Sequence, residues 1–202
     1  MKKLYMNIED IHIEGNPLQL TEVITTMDES LQDICQSTED ITNLVIRYSA
    51  SNMGSQYEKM SAELIKIRDE MYESSLQLNE MQNQIVEYQN KVLRYEDLSE
   101  SASVPNKYTV TRISINVNSN EVQFHLPEML EVSAGLNDYS ESLYHNMQNI
   151  VRGKNDIAVI WKDTQYNDFA EFIDNLSMDS LAALKVFGEY IAYLDEKIKE
   201  LS

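Results

Sequence analysis

Hydrophobic residues recur along most of the chain at alternating steps of four and three, which is the pattern of one face of an α-helix. Four stretches show it: Leu18 to Tyr48, Tyr57 to Tyr95, Met129 to Ile160, and Tyr166 to Leu194. The second is the most regular. At about 1.5 Å per residue, a helix of roughly 40 residues would be ~60 Å long. Such a helix needs equally long partners, so the pattern predicts an elongated helical bundle.

Breaks in the pattern predict where the chain turns. Small polar residues and Gly54 interrupt it between residues 49 and 56, and a second break falls at residues 161–164, Trp161-Lys162-Asp163-Thr164. The segment 101–107 contains Pro105. Because proline cannot continue a helix, this segment is predicted to be a linker.

The linker divides the chain into two modules, residues 1–100 and 101–202, and each is predicted to be a helical hairpin with an extended lead-in. Residues 4–13 alternate weakly in polarity. Within 108–126, the runs 109–117 and 122–126 alternate and are rich in β-branched residues, which predicts a small β-hairpin.

The predicted fold class is therefore all-α. It comprises two long antiparallel helical hairpins in tandem that form an elongated four-helix bundle, with short β-like lead-in segments. The pattern leaves open whether the hairpins pack together or stand apart, and what the lead-in segments do.

Composition narrows the classes of partner. The 202 residues carry a formal net charge of -18, which should repel nucleic acid and anionic lipid. No stretch approaches the roughly 20 apolar residues of a membrane span, so membrane insertion is not expected. The single cysteine, Cys35, excludes an internal disulfide and a cysteine-rich zinc site. Its place beside an apolar stripe predicts a buried thiol.

Candidate catalytic chemistry is missing from the sequence. The three histidines, His12, His125 and His145, lack the i, i+4 spacing that would bring two metal ligands together. The carboxylates lie on the polar faces of amphipathic stretches, and no nucleophile elbow, phosphate-binding glycine loop or calcium loop occurs. We expect no enzyme, no cofactor and no metal site.

The two halves resemble each other at their bends. The pair Gln56-Tyr57 matches Gln165-Tyr166, and an apolar residue follows three positions after each tyrosine. This match favours duplication of one hairpin unit. Trp161, the only tryptophan, is predicted either to close its hairpin as a core side chain or to contact a partner. The candidate bend and interaction residues are Gly54, Gln56, Tyr57, Trp161, Asp163, Gln165, Tyr166 and Phe169.

At these bends the chain resembles the WXG family of type VII secretion substrates, which are helical hairpins with Trp-x-Gly at the turn and an aromatic residue later in the second helix. Trp161 and Phe169 match the tryptophan and that aromatic residue, while Asp163 stands where glycine is expected. The first half keeps Gly54 but has Asn52 in place of the tryptophan. The chain is therefore similar to a tandem variant of this family.

The resemblance implies a non-enzymatic binding protein of a bacterial type VII secretion system. Such a protein is either secreted or acts as a chaperone for co-export of a larger effector. Its implied partners are the helical N-terminal domain of the effector or the secretion ATPase. The resemblance also implies a monomeric pseudo-dimer, in which the fused halves replace the dimer that such hairpins form. It places the protein in the bacterial cytoplasm before export, and outside the cell or at its surface afterwards, without a signal peptide.

One family feature is changed in this chain. Family members carry Tyr-x-x-x-Asp/Glu after the second helix, whereas Tyr190 and Tyr193 are followed four positions later by Leu194 and Lys197. The resemblance then implies export together with a partner that carries the signal, or a role inside the cell. The heptad pattern alone permits another hypothesis: a structural coiled-coil assembly protein, such as a phage or envelope component, that forms large homo-oligomers.

Overall fold

The computed structural model describes residues 17–51, 54–95, 99–105, 113–118, 120–161 and 164–202. Four long helices account for most of them: α1 Pro17–Tyr48, α2 Ser55–Tyr95, α3 Leu126–Ile157 and α4 Thr164–Leu201. The all-α prediction is confirmed, and the helices begin and end close to the breaks in the hydrophobic pattern. The two hairpins pack against each other, so the chain forms one four-helix bundle.

Each helix contacts two others, and neighbouring helices run antiparallel. Helix α1 lies between α2 and α3, and α4 lies between the same two on the other side. The pairing of α1 with α3 joins the two hairpins, and the buried hydroxyls of Thr38 on α1 and Tyr139 on α3 are hydrogen-bonded at 2.9 Å. The same core holds Cys35, where burial raises the pKa of the thiol to about 12. The predicted buried thiol is confirmed.

The two bends lie at opposite ends of the bundle. Near the first bend, Tyr48 hydrogen-bonds Glu131 at the start of α3, and Tyr57 packs edge-on against Tyr190 near the end of α4. Helix α2 therefore ends at one end of the bundle and α3 begins at the other. The connection between them has to cross the length of the bundle.

Two glycines of α3 allow α1 to approach closely. A Cβ atom built on Gly153 would lie 2.4 Å from Cγ of the buried Met27, and one on Gly135 would lie 2.8 Å from Cδ2 of Leu44. Helix α3 continues unbroken through Gly153. Gly153 therefore marks a close approach of the two helices.

The predicted β-hairpin before α3 is wrong as far as the structure describes this segment. Residues 113–118 and 120–125 form no strand. Their alternation has a different cause, because Ile115, Val117 and Phe124 turn inward and pack on the helical core while the residues between them face solvent. A single extended chain lying on a bundle produces the same period of two as a strand does. The first lead-in, residues 4–13, lies outside the described residues.

Candidate functional site

The first bend depends on the backbone of Gly54. This residue has φ of +117°, in the left-handed region that favours glycine. Its carbonyl oxygen accepts a hydrogen bond of 3.0 Å from the backbone N–H of Glu58, which opens the first turn of α2. The chain reverses here, between the end of α1 at Tyr48 and the start of α2 at Ser55.

Tyr57 closes the first hairpin with a hydrogen bond across the bend. Its hydroxyl donates to the carbonyl oxygen of Val45 at 2.6 Å. Val45 lies in the last turn of α1, where carbonyl groups have no partner within the helix. The tyrosine is buried, and burial raises the pKa of its hydroxyl, which therefore stays a neutral donor. The phenol thus satisfies a carbonyl that the fold would otherwise leave without a helix partner.

The second bend repeats this contact. The Tyr166 hydroxyl donates to the carbonyl oxygen of Lys154 at 3.3 Å, again across twelve positions of sequence, and Lys154 holds the same place in the last turn of α3 as Val45 does in α1. Here the carbonyl also accepts the backbone N–H of Ala158 at 3.2 Å. The Gln-Tyr match between the halves therefore corresponds to an equivalent contact in the fold.

Trp161 packs inside the bundle at the second bend and is 1% exposed. Its ring stacks on Phe169 with centroids 5.7 Å apart and meets Tyr166 edge-on at 6.1 Å. Its backbone N–H donates to the Ile157 carbonyl oxygen at 2.9 Å, which continues the end of α3 into the turn. Of the two roles predicted for Trp161, this geometry matches the core side chain that closes the hairpin.

The other predicted bend residues are placed less centrally. Gln56 is exposed, Gln165 is half-buried, and Asp163 lies outside the described residues. The bends thus bring together Trp161, Tyr166 and Phe169 at one end and hold Gly54 and Tyr57 at the other. Most of these side chains are internal, so their contribution is to the shape of the hairpins.

Sequence analysis missed a second buried row on α2. Its residues are polar and recur every seven positions, and each is at most 3% exposed: Ser61, Arg68, Ser75, Gln82 and Gln89. A search for apolar periodicity passes over such a row. A search for positions that recur every seven residues, whatever their polarity, could have detected this row. Part of the row faces α1, where Gln82 donates to the Thr25 hydroxyl oxygen and Gln89 accepts from the Thr21 hydroxyl.

A strap, residues 99–105, runs back along the end of α2 and is held by asparagine side chains of that helix. Asn90 accepts the backbone N–H of Ser101 and donates to its carbonyl oxygen, both at 2.8 Å. Asn83 does the same with Val104, at 2.7 and 2.9 Å. A side-chain amide supplies one donor and one acceptor, so it can pair with an extended backbone in this way. The strap is the start of the connection that crosses the bundle.

Arg68 is buried on α2 and forms an ionic cluster with Glu39 of α1. Its Nε donates to Glu39 of α1 at 2.9 Å, and its guanidinium lies over the Tyr72 ring at 4.6 Å. Tyr72 also donates to the Glu39 carboxylate at 2.7 Å. Partial burial would raise the pKa of Glu39, but the hydrogen bonds from Tyr72 and Arg68 outweigh it, so the pKa is lowered. The cluster ties α1 to α2.

Among the described residues, no group of three or more histidine, cysteine, aspartate or glutamate side chains is arranged to hold a metal ion. Over the same residues, no helix is both long enough and apolar enough to cross a membrane. Comparison of the chain with known protein families, with curated proteins and with solved structures finds no match.

Proposed function

We propose that this chain is a tandem WXG-like binding protein of a bacterial type VII secretion system. In this proposal it binds without catalysis and is exported itself or accompanies a larger effector as its chaperone. It resides in the cytoplasm before export and leaves by a route that needs no signal peptide. Its partner is the helical N-terminal domain of the effector or the secretion ATPase.

The observation that carries the proposal is the matched contact at the two bends. Tyr57 and Tyr166 make the same hydrogen bond to the same position of the preceding helix, within two hairpins of nearly equal size. A duplicated hairpin with Trp161 at one bend supports kinship with a family whose hairpins carry a tryptophan there. The antiparallel arrangement of the halves supports their acting as a fused dimer, since each hairpin covers the other.

The test is secretion. The full chain is expressed in a type VII-competent host and followed in the culture supernatant, with a cytoplasmic enzyme as the control for lysis. We expect the chain in the supernatant, and we expect it to disappear when the secretion ATPase is deleted. For the chaperone form, the chain should co-purify with the N-terminal domain of a co-expressed effector of the same system. Retention in the cytoplasm together with failure to bind such domains would refute the proposal.

Light scattering separates this proposal from the structural assembly hypothesis. Both hairpins bury their apolar rows within one chain, which supports a closed monomer or a one-to-one complex. An assembly protein needs a repeated contact between copies and would scatter as large homo-oligomers. A monomer mass for the purified chain favours the binding protein.

A further inference from the structure

A groove of about 440 Å³ runs between α3 and α4 on the outside of the bundle. Its apolar lining comes from Tyr144, Met147 and Val151 of α3 and from Leu181 and Leu184 of α4. Tyr144 is 45% exposed and Leu181 is 53% exposed. Large apolar side chains with that much exposure on two adjacent helices indicate a surface that can bind an apolar partner.

The groove also contains the positive charge of Arg152. Arg152 lines it beside Gln148 and Asn155, and makes no ion pair or hydrogen bond within the described residues. The other arginines that the structure describes, Arg47, Arg68 and Arg94, each pair with a carboxylate. In a chain with 34 acidic and 16 basic residues, an exposed guanidinium that pairs with no carboxylate of the described residues favours a ligand that brings one.

The dimensions of the groove suit a helix. The α3 wall extends from Tyr144 to Asn155, which corresponds to about 16 Å, or three helical turns, at ~1.5 Å per residue. A helix laid between two antiparallel helices contacts them through residues at i, i+4 and i+7, which span about 10 Å. A second copy of the chain is a poor occupant, because two molecules of charge -18 repel each other.

We propose that this groove docks an amphipathic helix of a partner, with its apolar stripe on Leu181 and Tyr144 and a carboxylate on Arg152. The inference rests on the proposed function, in which the partner is a helical domain, and it names the surface that this domain uses. The bends contribute little to that contact, since their aromatic side chains are internal.

Two synthetic peptides test the groove on the full chain. Both are amphipathic 18-residue helices with leucine along one stripe, labelled with a fluorophore, and they differ at one flanking position, which is Glu or Lys. Binding is followed by fluorescence anisotropy at about 0.15 M salt, where the long-range field of the net charge is screened and the contact with Arg152 is less affected. We expect the Glu peptide to bind the wild type roughly threefold to fivefold more tightly than the Lys peptide, as for a partly exposed ion pair.

Three variants make the test specific. Arg152→Glu should reverse the preference between the peptides, and Leu181→Asp should weaken both. Lys199→Glu is the matched control, because it changes the net charge by the same amount at an exposed lysine outside the groove, and it should leave the preference unchanged. Circular dichroism checks that each variant folds.

The proposal is overturned if neither peptide binds, if the wild type shows no preference, or if Arg152→Glu and Lys199→Glu have equal effects. These results are separate from the secretion assay. A chain that is exported or binds an effector domain, yet fails the peptide test, would retain the proposed function and dock its partner elsewhere.

Discussion

The hydroxyl of Tyr57 reaches back across the first bend and donates to the carbonyl oxygen of Val45 at 2.6 Å. Tyr166 makes the equivalent bond to Lys154 at 3.3 Å. The two bonds close the two hairpins at the same position of the repeat. They differ in whether the accepting carbonyl has a second hydrogen-bond donor. The Lys154 carbonyl also accepts the N–H of Ala158, whereas among the described residues outside α1 the carbonyl of Val45 accepts from Tyr57 alone.

This difference predicts unequal losses when either hydroxyl is removed. Tyr57→Phe should lower the free energy of unfolding by about 1–2 kcal/mol, because it leaves a buried carbonyl without a donor. Tyr166→Phe should lower the free energy of unfolding by less than about 1 kcal/mol, since the Lys154 carbonyl keeps a second donor. Urea unfolding followed by circular dichroism measures both. Equal losses would contradict the proposed difference in donors to the two carbonyls.

The close approach of α1 and α3 predicts opposite effects of alanine at two helical glycines. Gly153→Ala places a Cβ atom against Met27 in the core, and overpacking of this kind costs about 1–3 kcal/mol. Gly188→Ala is the matched control: apart from its chain neighbours and the backbone of its own helix, its Cβ atom would have no described atom within 4 Å, so the gain in helix propensity of about 1 kcal/mol should appear undiminished. Thermal unfolding should show a lower Tm for the first variant and a higher Tm for the second.

A double-mutant cycle locates the cause of the Gly153 effect. Met27→Ala removes the atoms that the new Cβ atom would meet, so Gly153→Ala should cost less in that background than in the wild type. The free energies of unfolding of the two single variants and the double variant give the coupling. Additive losses would show that the two helices do not meet at this point.

The single tryptophan offers a direct test of its own burial. Trp161 is packed on Phe169 and Tyr166, so its fluorescence should be blue-shifted and weakly quenched by acrylamide. Trp161→Ala should lower the free energy of unfolding by about 3–5 kcal/mol. Trp161→Phe should lower it less, because the stacking on Phe169 is partly kept. Emission near that of free tryptophan in the folded chain would place the side chain in solvent instead.

Much of the fold was predictable because apolar periodicity and helix breakers are local signals. The alternating steps of four and three predicted the positions of the helices. Gly54 and the break at Trp161 predicted the two bends to within a few residues. The Gln-Tyr match predicted an equivalence that appears as the bonds of Tyr57 and Tyr166. Over the described residues 113–118 and 120–125 the β-hairpin prediction failed, because alternation shows which side of an extended chain faces the core and does not show whether that chain pairs with another strand.

The polar features of α2 were not predictable from an apolar pattern. Arg68, Gln82 and Asn90 read as solvated residues in a sequence with many charges, yet they are buried because α1 and the strap cover them. The strap itself lies where it does because α2 and α3 begin at the same end of the bundle, and that direction is decided by how the hairpins dock. Whether the groove between α3 and α4 is exposed also depends on how the two hairpins pack together.

The strap predicts a local effect on dynamics. Asn83→Ala and Asn90→Ala each remove two hydrogen bonds to the strap, at about 0.5–1.5 kcal/mol per bond. Hydrogen exchange at the amides of Val104 and Ser101 should accelerate in the respective variant, while exchange at the centre of α3 stays unchanged. Ser103→Ala, an exposed strap residue without such a bond, is the control. If exchange accelerates equally in all three variants, the asparagines do not hold the strap.

The pKa shifts of two carboxylates, one in the ionic cluster and one outside it, predict opposite pH dependence of stability. The pKa of Glu39 is lowered in the fold, so protonation favours unfolding, and its contribution to stability is lost as pH falls below the ordinary value of 4.5 towards the folded pKa. Glu39→Gln should therefore be less stable than the wild type at neutral pH, by under about 1 kcal/mol because the carboxylate is partly exposed and screened. That difference should vanish in acid.

Glu70 supplies the comparison of opposite sign. Burial raises its pKa, so its ionised form is disfavoured in the fold, and the stability gained on protonation is lost as pH rises from 4.5 through the raised pKa. Glu70→Gln should then be more stable than the wild type at neutral pH, and the gain should shrink as pH falls. Urea unfolding of both variants and the wild type between neutral pH and pH 3 measures the differences. The cluster account fails if the Glu39→Gln deficit persists or grows in acid, and the account of Glu70 fails if Glu70→Gln is no more stable than the wild type at neutral pH.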